Sequence, residues 1–160
     1  MASWNDVALD SPEFAAAVRS LFDAHKHKTL ATLRMDGSPR ISGIEADFVD
    51  GDLWLGAMWQ SRKALDLRRD PRFALHSATA DADEAWPGDA KIAGRMEEIT
   101  NPERKRTVQA ASGGEAPPGP HHLFRAEVTE VVLVRVGDPP DHLVVESWHD
   151  GRGVRRVERR

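Results

Sequence analysis

The stretch Gln60-Ser61-Arg62-Lys63-Ala64-Leu65-Asp66-Leu67-Arg68-Arg69-Asp70-Pro71 places a hydroxyl and two cations at the start of a short helix. Ser61 is a favoured N-cap, its hydroxyl suited to accept from a first-turn amide. Asp70-Pro71 ends the helix, because the proline ring drives the residue before it out of the helical region. Arg62 and Lys63 fall in the first turn, where the helix dipole is positive and a cation costs roughly 0.3–1 kcal/mol. Arg68 and Arg69 sit at the end that favours them. Two readings account for the misplaced pair. A solvated helix sends both cations into water; an anion site gathers them, the free amides and the Ser61 hydroxyl around a ligand, most often a phosphate.

Other chemistry is sparser. Arg40 stands two positions from Ser42, so on a strand the two share a face. Trp148, followed by His149, Arg152, Arg155 and Arg156, offers an aromatic plane beside cations that could stack on a planar ring, or simply closes one end of a barrel. There is no Gly-x-Ser-x-Gly elbow, no Rossmann fingerprint and no Walker-type loop. Any phosphate must then be held by scattered cations, amides and hydroxyls. The chain has no cysteine, which excludes disulfides, thiolate metal sites and cysteine nucleophiles, and no tyrosine, which removes the phenol as a general acid. Of seven histidines only His25/His27 and His121/His122 are close pairs, without metal-ligand spacing, and no metal site is expected.

The elements that must position these residues follow from periodicity. Residues 1–10 read as a loose lead-in. Ser11-Pro12-Glu13 opens a helix whose Phe14, Val18, Leu21 and Phe22 form one apolar stripe. From Thr29 the period becomes two: strands over 29–35, 39–49 and 53–58 are joined by Asp36-Gly37 and Asp50-Gly51, an antiparallel meander. The cationic helix comes next, then strands over 72–79 and 90–99 around an acidic loop at 81–88. A helix capped by Asn101 runs to about Ala111, and Ser112–Pro120 is a connector, with a lid as the other reading. A long strand over 123–136 and a return over 142–148 complete the chain. Six or seven strands with peripheral helices suggest a closed antiparallel barrel. At 160 residues this is one domain, residues 1–160, ending in a basic tail, Arg152–Arg160, with five arginines against one glutamate. A net charge of −4 argues against a nucleic-acid partner. No segment approaches the ~18 apolar residues of a membrane span, so no membrane partner and a cytoplasmic location are expected.

The order Ala31-Thr32-Leu33, Asp36-Gly37-Ser38-Pro39-Arg40, Leu53-Trp54-Leu55, Ser61-Arg62-Lys63-Ala64 and Leu67-Arg68-Arg69-Asp70-Pro71-Arg72 resembles the pyridoxamine 5'-phosphate oxidase-like superfamily, the flavin and deazaflavin oxidoreductases. The resemblance implies a mainly β fold, a six-stranded antiparallel split β-barrel, and a homodimer with the cofactor at the subunit interface. It gives Ser61, Arg62, Lys63 and Arg40 the cofactor phosphate and sets Gly56-Ala57-Met58 beside the cofactor ring. Trp148 matches a C-terminal tryptophan of the family. Two departures stand against vitamin B6 oxidation: Glu45 lies near a position where the oxidases carry lysine, and Trp148-His149-Asp150-Gly151-Arg152 replaces their Arg-Leu-His-Asp-Arg run. The expected cofactor is FMN, with coenzyme F420 as the alternative, whose acidic tail would welcome Lys26, Lys28 and the terminal arginines. The expected activity is oxidoreduction of a small molecule, with non-catalytic flavin or haem binding as the rival.

Overall fold

The computed structural model describes residues 1–79, 85–115 and 117–160. Its elements, in chain order, are α1 (Trp4–Asp10), α2 (Pro12–Asp23), β1 (His27–Leu33), β2 (Pro39–Val49), β3 (Asp52–Met58), α3 (Arg62–Arg69), β4 (Arg72–His76), β5 (Asp89–Glu98), α4 (Pro102–Ala111), β6 (His121–Val136), β7 (Leu143–His149) and β8 (Gly153–Arg159). Part of the acidic loop expected at 81–88, residues 81–84, and Ala116 of the connector lie outside the described residues.

All pairings are antiparallel. The order β3-β2-β1-β4-β5-β6 closes when β6 returns to β3, making the six-stranded barrel, and β7 and β8 extend the sheet beyond it. Both Asp-Gly turns form as expected. Gly37 has φ +84°, and at the second turn Asp50 and Gly51 take +51° and +79°, the paired positive angles of a tight hairpin. The barrel closes around Gly94, where the β5–β6 register shifts: a Cβ there would sit 1.9 Å from the Glu127 carbonyl oxygen, so only glycine lets the strands approach.

Alternation along the strands fills the interior with Leu30, Leu53, Leu55, Leu75, Ile92 and Leu133, all essentially without solvent exposure. Each such side chain contributes about 1.5–3 kcal/mol of transfer free energy. The apolar stripe of α2, Phe14, Val18 and Phe22, covers one end, with Phe22 against Phe48.

Two terminal expectations need correction. The lead-in contains a helix: Ser3 and Asp6 form a reciprocal capping box at the start of α1, and Trp4 and Val7 are buried. The Val128 amide donates to the Ala2 carbonyl at 2.7 Å, tying the chain start to β6. The basic tail is largely β8, paired with β7 from Leu143↔Arg159 to His149↔Gly153.

Candidate functional site

The start of α3 is built by a turn at the end of β3. The Ser61 amide donates to the Met58 carbonyl at 3.1 Å, and Gln60, inside the turn, has φ +59°. A side chain with a Cβ pays roughly 1–2 kcal/mol for that left-handed conformation. The turn is held from outside: the Gln60 amide donates to His122 Nε2 at 3.2 Å, and Trp59 stacks on the His122 ring, with centroids 4.7 Å apart and planes 11° apart. His122 is fully buried, its Nδ1 lies 2.6 Å from Glu98 Oε1, and Glu98 Oε2 accepts from Arg68 Nε at 2.7 Å.

Ser61 has the backbone angles of an N-cap, φ −61° and ψ 148°, but its hydroxyl caps nothing, contrary to expectation. Ser61 Oγ is buried and has no hydrogen-bond partner among the described residues, and the same is true of Ser42 Oγ on β2. Lys63 Nζ donates to the carbonyl of Gly43, next to Ser42 in the chain, so it pins the first turn of α3 against β2. Burial pushes the Lys63 ammonium below its ordinary pKa, and among the described residues no carboxylate answers its charge. Three polar groups near this helix start are therefore short of partners.

Arg62 projects from the next position round the helix. With Arg34, Arg40 and Arg69 it lines a cavity of about 470 Å³ that also takes in Met35, Asp36, Leu65 and Asp66. Here Arg40, Arg69 and Asp66 satisfy one another. Asp66, 3% exposed, accepts from Arg40 Nε at 2.7 Å, Thr32 Oγ1 at 2.8 Å and Arg69 Nη2 at 3.2 Å. Burial alone would raise the Asp66 carboxyl, but the hydrogen bonds from Arg40, Thr32 and Arg69 outweigh it and hold the group below its usual range.

The structure therefore brings together Arg40, Ser42, Ser61, Arg62 and Lys63, in two adjoining groups. Gly56, Ala57 and Met58 pair with Leu123, His122 and His121 of β6. Gly56 and Met58 face outward: a Cβ at Gly56 would meet open space, and Met58 is 81% exposed. Within the protomer Trp148 does not join this group. It is buried in the core with its Nε1 donating to Asp10 Oδ2 at 2.8 Å, so the ring is committed to closing the barrel against α1. Lys26 pairs with Glu45 at 3.4 Å, and buried Lys28 donates to the Lys26 carbonyl at 3.0 Å.

Arg34, Asp66, Arg69, Gln60 and His122 were missed as site residues. Asp66 and Arg69 carry a faint signal, since Arg62 with Asp66 and Leu65 with Arg69 are i, i+4 pairs on one helix face. His122 carries none, because its partners are 62 and 24 residues away in the chain. Among the described residues no group of three or more His, Asp or Glu is arranged to hold a metal ion, and no helix is long and apolar enough to cross a membrane.

A family model described as pyridoxamine 5'-phosphate oxidase matches residues 14–135. No curated protein sequence matches the chain significantly. Among the solved structures that share its fold are the following three. A conserved hypothetical protein from Mycobacterium tuberculosis is 22% identical with TM-score 0.61, over 72% of this chain and 81% of that one. A heme binding protein from Mycobacterium smegmatis is 18% identical with TM-score 0.60, over 90% and 87% of the two chains. An F420 reductase is 18% identical with TM-score 0.53, over 71% and 94%. With the family model spanning the barrel from α2 to the end of β6, the chain belongs to the pyridoxamine 5'-phosphate oxidase family of split-barrel proteins.

Proposed function

We propose that this protein binds FMN through its phosphate at the start of α3 and works as an oxidoreductase on a small molecule. One observation carries the reading. Ser42 Oγ and Ser61 Oγ are buried without partners, and Lys63, on the same helix start, is desolvated without a counter-charge. A buried hydroxyl left unpaired, and a half-buried cation that meets a carbonyl but no counter-charge, both cost free energy that a phosphate oxygen would recover. Arg40 and Arg62 add charge from the adjoining cavity. Gly56 and Met58 leave the outer face of β3 open to a flat ring. A bound flavin would supply the hydride chemistry, so the chain itself need only bind, orient and shield.

The exposed apolar side chains Met35, Ile41 and Met58, 84%, 73% and 81% accessible, lie on the β1–β2 hairpin, β2 and the end of β3. A second copy of the chain covering them would bury the same surface that holds the cofactor, which supports a homodimer. The F420 alternative finds less support here. Lys28 is buried and turned inward onto a backbone carbonyl, so it is not offered to an acidic tail, and Glu45 already stands against the exposed Lys26.

The test is FMN titration followed by flavin fluorescence, for wild type and for Arg62→Ala with Lys63→Ala. We expect the double variant to fold with an unchanged far-UV spectrum and to lose about a hundredfold in affinity, the scale of two charge-assisted contacts. Unchanged affinity would remove the phosphate assignment.

A further inference from the structure

We infer that His122 is a positioning residue for the anion anchor: its Nε2 accepts from the Gln60 turn that presents Ser61, Arg62 and Lys63, and removing that acceptor releases the turn. The inference rests on the anion-site reading above but concerns a residue that touches no ligand. The tautomer follows from the contacts. A backbone amide can only donate, so the Gln60 N–H at 3.2 Å requires Nε2 to be an acceptor. The proton then sits on Nδ1, where Glu98 Oε1 at 2.6 Å accepts it. Glu98 is itself oriented by Arg68, from the last turn of the helix whose first turn is the anchor. The chain of contacts thus runs from the C-terminal end of α3 through β5 and β6 back to the residue before its N-cap.

The geometry makes His122 the part that can fail. Gln60 occupies a left-handed conformation that its Cβ disfavours, and its amide has no other acceptor among the bonds of the turn, where Ser61 N–H takes the Met58 carbonyl. The His122 ring lies between Trp59, stacked at 4.7 Å, and Phe124 at 6.0 Å, so it cannot rotate away without unstacking. Glu98 from β5 is the charged group that faces it, with Arg68 from α3 behind that carboxylate, while the turn and β6 present the rings of Trp59 and Phe124. Without the Nε2 acceptor the Gln60 N–H would lose its partner, and nothing would then hold the left-handed turn against its own strain.

The experiment compares wild type, His122→Gln and His122→Leu. Glutamine can place a carbonyl acceptor toward the Gln60 amide and an amide donor toward Glu98, and it does not titrate. FMN affinity is measured by fluorescence titration, and Gln60 amide exchange is measured in the ligand-free proteins. We expect His122→Gln to stay within about threefold of wild type and His122→Leu to lose about tenfold. Gln60 amide exchange should be about tenfold faster in His122→Leu and near the wild-type rate in His122→Gln. Adding Gln60→Gly to His122→Leu should restore part of the affinity, since glycine adopts the turn without strain. Equal amide exchange in wild type and His122→Leu, or a His122→Gln variant that exchanges as fast as His122→Leu, overturns the inference. Wild type that binds no FMN would overturn the anchor reading instead, and amide exchange would still decide the lock.

Discussion

The two flanks of α3 carry similar polar groups in opposite states. On the Arg40 side, Asp66 is buried but fully answered, by two arginines and a threonine. On the Lys63 side, a desolvated ammonium reaches one backbone carbonyl, and two buried serine hydroxyls reach nothing among the described residues. A fold that satisfies its polar groups on one face of a helix and leaves them short on the other fits the proposed division of labour: the Asp66 network fixes the helix on the barrel, and the Lys63 side has groups that the proposed phosphate would satisfy.

The comparison can be broken most sharply at Asp66. Asp66→Ala leaves Arg40 and Arg69 without their shared carboxylate, and we expect a loss of about 3 kcal/mol in stability, read from the midpoint of urea unfolding. The sign with pH follows from the same network. The folded Asp66 pKa lies below the ordinary 3.8, so its contribution is full above that value and is lost as pH falls through the folded pKa.

Next in size is the contrasting change on the other flank. Lys63→Ala in the ligand-free protein should cost little stability, because the desolvation of the charged amine offsets its one hydrogen bond to the Gly43 carbonyl; FMN-induced thermal stabilisation should shrink sharply in the same variant. Because burial lowers the Lys63 pKa, ligand-free stability should rise as pH climbs through the folded value toward 10.5, a slope that Lys63→Ala removes.

Ser61→Ala and Ser42→Ala sharpen the comparison further. Neither hydroxyl has a partner to lose, so each substitution should change ligand-free stability by no more than about 0.5 kcal/mol. Each should still weaken FMN binding several-fold. A substantial stability loss would mean that the hydroxyls are already satisfied.

The smallest effect lies past the helix end. Asp70 accepts from Arg72 and is held at about 2, so the part of stability it carries is present above 3.8 and lost as pH falls through about 2. Arg72→Ala should return the Asp70 titration, followed by NMR, toward 3.8.

Much of the barrel was legible in the chain because its signals are local. Asp36-Gly37 and Asp50-Gly51 dictate hairpins, alternating residues mark the strands, and Pro12 and Asn101 mark helix starts. The seven-residue α1 was not legible, being too short to show a period. Nor was β8, whose Val154 and Val157 stand three apart among arginines on an exposed edge strand and so lack the alternation of a half-buried one. At the site, the Ser61-Arg62-Lys63 run is contiguous and could be read directly. The partners that determine its state, Asp66 with Arg40 and His122 with Gln60, meet only once the barrel closes. Trp148 shows the converse: its type suggested a stacking platform, and only the packing of Asp10 against its indole reveals it as core.

The central claim, that the Lys63 flank of α3 is completed by a phosphate, is tested most directly without any mutation. Affinities of the wild-type protein for FMN and for riboflavin, which lacks only the phosphate, can be compared in one fluorescence titration series. A phosphate anchored by Arg40, Ser42, Ser61, Arg62 and Lys63 should favour FMN by at least about a hundredfold, or roughly 2.7 kcal/mol. Equal affinities for the two flavins would contradict the account.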